Sequence, residues 1–137
     1  MRVACDTNVL VSAFIAAGPP SRVLEETIDA RLELILPQPV MVELERILTE
    51  KLGFEPQRWR GVEELLVDLA AELVPAPEGP PEAVTGDPDD DLILACAIQA
   101  EVDVLVSGDH RHLLPVGEHR GVRVITPQAL LAELRGA

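Results

Sequence analysis

Tyrosine is absent from this chain of 137 residues, and aromatic residues make up only 2% of it. A core with so little ring area must be built from Leu, Val, Ile and Ala. That argues against a base-stacking platform for single-stranded nucleic acid, which needs exposed aromatics. Cations are scarce as well: 11 Lys and Arg stand against 24 Asp and Glu, a formal net charge of −13. Phosphate contacts normally come from Lys and Arg. Either the partner is not a polyanion, or bound metal ions and a local Arg patch reverse the field where it binds. The same charge suits a basic partner segment. Cysteine is limited to Cys5 and Cys96, each in an apolar run and neither in a C-x-x-C pattern. They read as small buried hydrophobes of a reduced protein, not as zinc ligands or a disulfide. No apolar run approaches the roughly 20 residues of a membrane span, and no signal-peptide pattern precedes the first strand. A cytoplasmic protein with no membrane association is expected.

What the chain does hold is 47% apolar residues, enough for a globular core that buries roughly two-thirds of the unfolded surface. One domain over 1–137 is expected. The pattern predicts strands at 2–5, 32–36, 102–107 and 122–125. It predicts helices at 8–17, 21–30 with Ser21 as cap, 39–52, 57–73, 91–100 and 128–134. The stretch 74–88, with Pro75, Pro77, Pro80, Pro81, Pro88, Gly79 and Gly86, reads as an extended crossing connection. Strands alternating with helices indicate a parallel sheet covered on both faces. Ligands bind such sheets beyond the carboxyl ends of the strands.

Four separated acids stand at the boundaries or inner faces of these elements. Asp6 ends V-A-C-D and Asp109 ends V-L-V-S-G-D, both after apolar strands where a carboxylate adds nothing to the core. Glu43 lies four residues before Ile47, hence on the apolar side of its helix, whereas Glu45 points outward beside Arg46. Asp90 lies in the run D-P-D-D-D at a helix start, where one cap does not require so many acids. The run is not a calcium loop, since its sixth position is Leu92 and its twelfth Ile98. Plainer readings exist for each: Asp6 as a helix cap, Asp109 as a turn residue, Glu43 as a solvated charge. Gathered together, though, four carboxylates repel unless a cation holds them. Hard divalent ions take such oxygen ligands, and phosphoryl chemistry is the usual use of such a site. Thr7, Asn8 and Ser107 are placed to orient carboxylate oxygens. His110, His112 and His119 with Arg111, Arg120 and Arg123 make a local basic cluster, fit either to receive phosphate or to remain a solvated loop.

Taken in order, D-T-N-V-L-V-S-A at Asp6, E-L-E-R-I-L at Glu43, D-P-D-D-D-L-I-L-A-C-A and L-V-S-G-D-H-R-H-L-L resemble the four acidic motifs of the PIN-domain family. The likeness is close to the VapC-like toxins of prokaryotic toxin–antitoxin pairs, and it runs from Arg2 to the closing V-I-T-P-Q-A-L-L. It implies a Rossmann-like three-layer α/β/α sandwich with a mainly parallel central sheet. It also implies a ribonuclease using Mg²⁺ or Mn²⁺, an RNA substrate, an antitoxin protein as partner, and a homodimer. Asp6, Glu43, Asp90 and Asp109 become the catalytic acids. The metal falls to Asp6, Asp90 and Asp109, with Asp91, one step from Asp90, sharing the role. Thr7, Asn8 and Ser107 become supporting residues. Some relatives carry a further Asp or Asn shortly after the fourth acid, where this chain has Arg111 and His112. Two rival readings follow from the residues. One is a non-catalytic module of the same fold acting through a protein or RNA partner. The other is a phosphatase with Asp6 as nucleophile, which usually needs a second Asp where Asn8 stands.

Overall fold

The computed structural model describes residues 1–136. The chain begins with β1 (Arg2–Cys5), α1 (Thr7–Ile15), α2 (Pro19–Ile28), β2 (Glu33–Pro37) and α3 (Gln38–Arg46), which continues into a π-helical turn over Ile47–Lys51. Then come α4 (Pro56–Leu69), β3 (Ala70–Val74), α5 (Pro88–Gln99), β4 (Val104–Val106), the short β5 (Glu118–His119), β6 (Val122–Ile125) and α6 (Pro127–Gly136). The six strands form one sheet in the order β3-β2-β1-β4-β6-β5. All pairings are parallel except β5 with β6. With helices on both of its faces, this is an α/β sandwich of the Rossmann-like kind.

The central strands are short and apolar because both faces are covered. Val3, Ala4, Leu34, Ile35, Val104, Leu105 and Val106 are all buried, and one aliphatic cluster runs through the molecule, with Phe54 and Trp59 as its ring contributions. The chain steps outward from β1 to β2 to β3, then returns to the other side of β1 for β4. That reversal opens a crevice between the carboxyl ends of β1 and β4, where ligands of such sheets bind. The N–H of Asp6 donates to the Val106 carbonyl (2.9 Å) and extends this pairing to its last residue.

Three local readings of the sequence are corrected. The helix expected to run to residue 73 stops at Leu69, and Ala70–Val74 is the edge strand β3. Alanine, glutamate and leucine favour helix there, but pairing with β2 overrides propensity. Ser21 is not the cap of α2. The helix starts at Pro19, and the Ser21 hydroxyl donates to the Gly18 carbonyl (3.0 Å) from inside the first turn. The two-residue strand β5 carries no periodicity and goes unseen in the sequence.

Candidate active site

The acids converge because the fold puts their element ends together. Asp6 follows β1, Ser107 follows β4, Glu43 rides on α3 after β2, and Asp87 and Asp90 sit at the start of α5. Asp6, Thr7, Asn8, Glu43, Asp87, Asp89, Asp90, Ile93 and Asp109 line one small cavity of about 160 Å³. No Lys or Arg is among its lining residues.

Asp6 is only 4% exposed. One carboxylate oxygen accepts from the Val9 N–H (2.9 Å) and caps α1; the other accepts from the Ser107 hydroxyl. Asp6 is therefore the cap of α1 through one oxygen, and the residue also lines the cavity. Burial raises its pKa against these two hydrogen bonds, and the charges of Asp109 and Glu43 add to the rise. Ser107, fully buried, also accepts from the Asp109 N–H (3.0 Å), so one hydroxyl ties the first and fourth acids together. The Asp109 carboxylate accepts from the N–H groups of Arg111 (2.9 Å) and His112 (3.3 Å), closing a turn on itself. Burial alone would raise Asp109, but the Arg111 and His112 N–H groups and the neighbouring Asp90 carboxyl outweigh it and hold it low. Asp90 moves the other way. Desolvation first, then its proton-sharing contact with Asp109 and the charges of Asp87, Asp109 and Asp6, push it up to about 7. Asp90 and Asp109 thus behave as one pair that shares a proton near neutrality. Beside them the Thr7 hydroxyl is buried and has no hydrogen-bond partner among the described residues. An orphaned hydroxyl in a cavity of carboxylates, with no Lys or Arg to balance them, fits an oxygen-coordinated divalent cation.

Asp91, expected to share the metal, does not face this cavity. Its Oδ1 accepts from the N–H groups of Val84 (3.0 Å) and Thr85 (2.7 Å) and from the Thr85 hydroxyl (2.8 Å). One residue along a helix turns the side chain by about 100°, enough to take Asp91 from the pocket to the proline-rich connection. There it fastens the segment that leads into Asp87, and the Asp87 carboxylate in turn caps α5 through the N–H groups of Asp89 and Asp90. Hydrogen bonds outweigh its desolvation and keep its pKa low. The basic cluster also disperses. His119 and Arg120 grip Glu82 (2.8 and 3.0 Å), Arg123 grips Glu133 (2.6 Å), and His112 folds back onto the acids. Asp87 and Asp89 line the cavity, and His112 stands beside Asp90 and Asp109; none of the three is among the site residues expected from the sequence. Cys5, next to Asp6, is no nucleophile: burial pushes its thiol up to about 12.

The sequence matches the model of the PIN domain over residues 2–111. No curated protein matches it significantly. Among solved structures, the crystal structure of FitAcB from Neisseria gonorrhoeae is similar, with a TM-score of 0.59 and 20% identity over 92% of this chain and 98% of that one. The structure of the PIN domain endonuclease Utp24 is similar with a TM-score of 0.51 and 19% identity, over 90% of this chain and 82% of that one. At these identities the likeness is one of fold.

Proposed function

The chain belongs to the PIN-domain family, and from that premise we propose that it is a metal-dependent endoribonuclease that hydrolyses RNA phosphodiester bonds. The observation that carries this reading is the meeting of Asp6, Glu43, Asp90 and Asp109 around one small polar cavity lined by no Lys or Arg. Asp6, Asp90 and Asp109 would hold Mg²⁺ or Mn²⁺, and Glu43 would complete the acidic ring. A bound divalent cation supplies Lewis acidity toward a phosphoryl group and acidifies water. The protein's own residues do the rest. Ser107 fixes one oxygen of Asp6 and the backbone of Asp109. Thr7 and Asn8 line the cavity beside the acids, the Thr7 hydroxyl buried there. In the metal-free protein the Asp90 carboxyl is pushed up to about 7, so a cation held there would displace its proton.

The likeness to VapC-like proteins supports the finer assignment as the toxin of a toxin–antitoxin pair. Its antitoxin partner would be a basic protein segment, suited to a net charge of −13. Homodimerisation and a cytoplasmic location belong to the same proposal. Among the described residues no helix is long and apolar enough to cross a membrane. The test is cleavage of a mixed RNA substrate by purified protein with Mg²⁺ or Mn²⁺, with EDTA and the Asp6→Asn variant as controls. Cleavage that needs the ion and is lost in the variant is expected. No cleavage under any metal would favour the non-catalytic binding module instead.

A further inference from the structure

The turn after Asp109 brings a histidine to the rim of the acidic cavity. The His112 N–H donates to the Asp109 carboxylate (3.3 Å), and its imidazole Nδ1 lies 3.6 Å from one oxygen of Asp109 and 3.6 Å from one oxygen of Asp90. Gly86, at φ +88, passes beneath the ring: a Cβ there would stand 3.8 Å from the His112 Cδ2. The ring thus lies between its own turn and the end of the proline-rich connection. Potential ligand atoms of Asp87, Asp90 and His112 lie within 4.8 Å of one another. Asp87 uses one oxygen to cap α5; its other oxygen has no hydrogen bond among the described residues. An independent observation points to the same place: the Thr7 hydroxyl, on a residue 3% exposed, lines the cavity without a partner.

We propose that His112 adds a nitrogen ligand to the oxygen ligands of this cavity and that, with Asp87 and Asp90, it makes the site select Mn²⁺ and similar transition-metal ions over Mg²⁺. This rests on the metal-binding reading above. The chemistry follows from donor type. Mg²⁺ keeps to oxygen donors and to its own water, whereas imidazole is a good ligand for first-row transition ions. Two carboxylates alone would accept either class of ion. An imidazole nitrogen in the set favours the transition metals, and Nδ1 already faces the carboxylates it would join.

The full-length protein, loaded with one equivalent of Mn²⁺, is examined by pulsed EPR with and without ¹⁵N-histidine, and Mn²⁺ and Mg²⁺ affinities are measured by calorimetry for wild type and His112→Gln. The expected result is a nitrogen coupling in wild type that changes with the isotope and vanishes in the variant. Mn²⁺ affinity should drop about 10-fold or more, a typical effect of losing a metal-site partner, while Mg²⁺ affinity stays nearly constant. Mn²⁺ bound without nitrogen coupling would overturn the role of His112 and leave the acidic site intact. So would a rise in affinity for both ions in the variant, because the imidazole would then be acting as a countercharge to the acids. Absence of Mn²⁺ binding in folded wild-type protein would sink both readings together. Because the isotope test uses the wild-type protein, it stands even if the variant folds poorly.

Discussion

The two ends of the sheet treat charge in opposite ways. At the amino end, Arg2 opens β1 and is matched on every side. Its guanidinium meets Glu72 (2.7 Å), Glu33 (3.7 Å) and the Ala100 carbonyl (2.8 Å), and its N–H meets Asp103 (2.8 Å). At the carboxyl end, six acids line a cavity and no Lys or Arg joins them. The chain is short of cations, yet it places one where it only ties strands together and none where repulsion is greatest. An arrangement that leaves like charges uncompensated in a half-buried pocket costs stability, and the proposed cation site would supply the reason for keeping it. The comparison sets residues that hold the fold against residues proposed to hold a cation, and each can be tested against the other.

The sharpest break is at Asp6. Asp6→Asn keeps the shape of the side chain and removes a charge from the most buried of the acids. Loss of RNA cleavage by about 10²-fold or more is expected, with a melting temperature in the absence of metal at or above that of wild type. A cleavage assay beside a thermal melt reads both, and an active variant would remove Asp6 from the site.

Next comes Asp91, which belongs to the fold despite sitting beside Asp90. Asp91→Ala strips the acceptor from two N–H groups and a hydroxyl, so a loss of about 1–3 kcal/mol in urea unfolding is expected. Cleavage should fall less than in Asp6→Asn, because Asp87 and Asp90 are loosened and not removed. If Asp91→Ala were fully stable yet inactive, the two neighbours would have exchanged roles.

The contrast between these two aspartates marks what could be read in the sequence. Acids that end apolar strands, as Asp6 and Asp109 do, announce themselves because a carboxylate is unneeded there and parallel strands end together. Neighbouring acids on one helix do not. Asp90 and Asp91 have the same propensity and the same place in the motif, and only the position of Thr85, six residues before Asp91 on a proline-rich connection, decides which faces the cavity. His112 was hidden for a similar reason. Its return to the acids depends on the turn that Asp109 closes on its own backbone, while its neighbours in sequence, Arg120 and Arg123, are drawn off to Glu82 and Glu133. The strand β3 was lost because its residues suit a helix and only the edge of β2 recruits them.

A smaller effect should appear in pH. The Asp90 carboxyl is raised from 3.8 to about 7 in the folded chain. The fold therefore holds a proton that the unfolded chain releases earlier. Its stabilising contribution is complete below about pH 4 and is lost as pH rises through about 7. The metal-free protein should weaken across that window, and Asp90→Asn should lessen the dependence, by about 1–2 kcal/mol once partial solvent exposure is allowed for. Added Mn²⁺ should reverse the trend, since binding displaces the proton and improves as pH rises. Urea melts at pH 5 and pH 8, with and without the ion, measure all three. A wild-type profile as flat as that of Asp90→Asn would mean that the pair does not share a proton.

The smallest expected change lies at the amino end of the sheet and completes the comparison. Arg2→Gln removes the guanidinium from Glu72 and Glu33 but leaves the N–H bond to Asp103 in place. The lost contacts are partly wet, so a cost of about 1 kcal/mol is expected. The strands themselves remain paired, and the crevice between β1 and β4 opens at their other end. Mn²⁺ affinity and cleavage should therefore stay at the wild-type level while the urea midpoint falls. If cleavage fell with stability in Arg2→Gln, charge at one end of β1 would be felt at the other, and the division of labour between the two ends of the sheet would not hold.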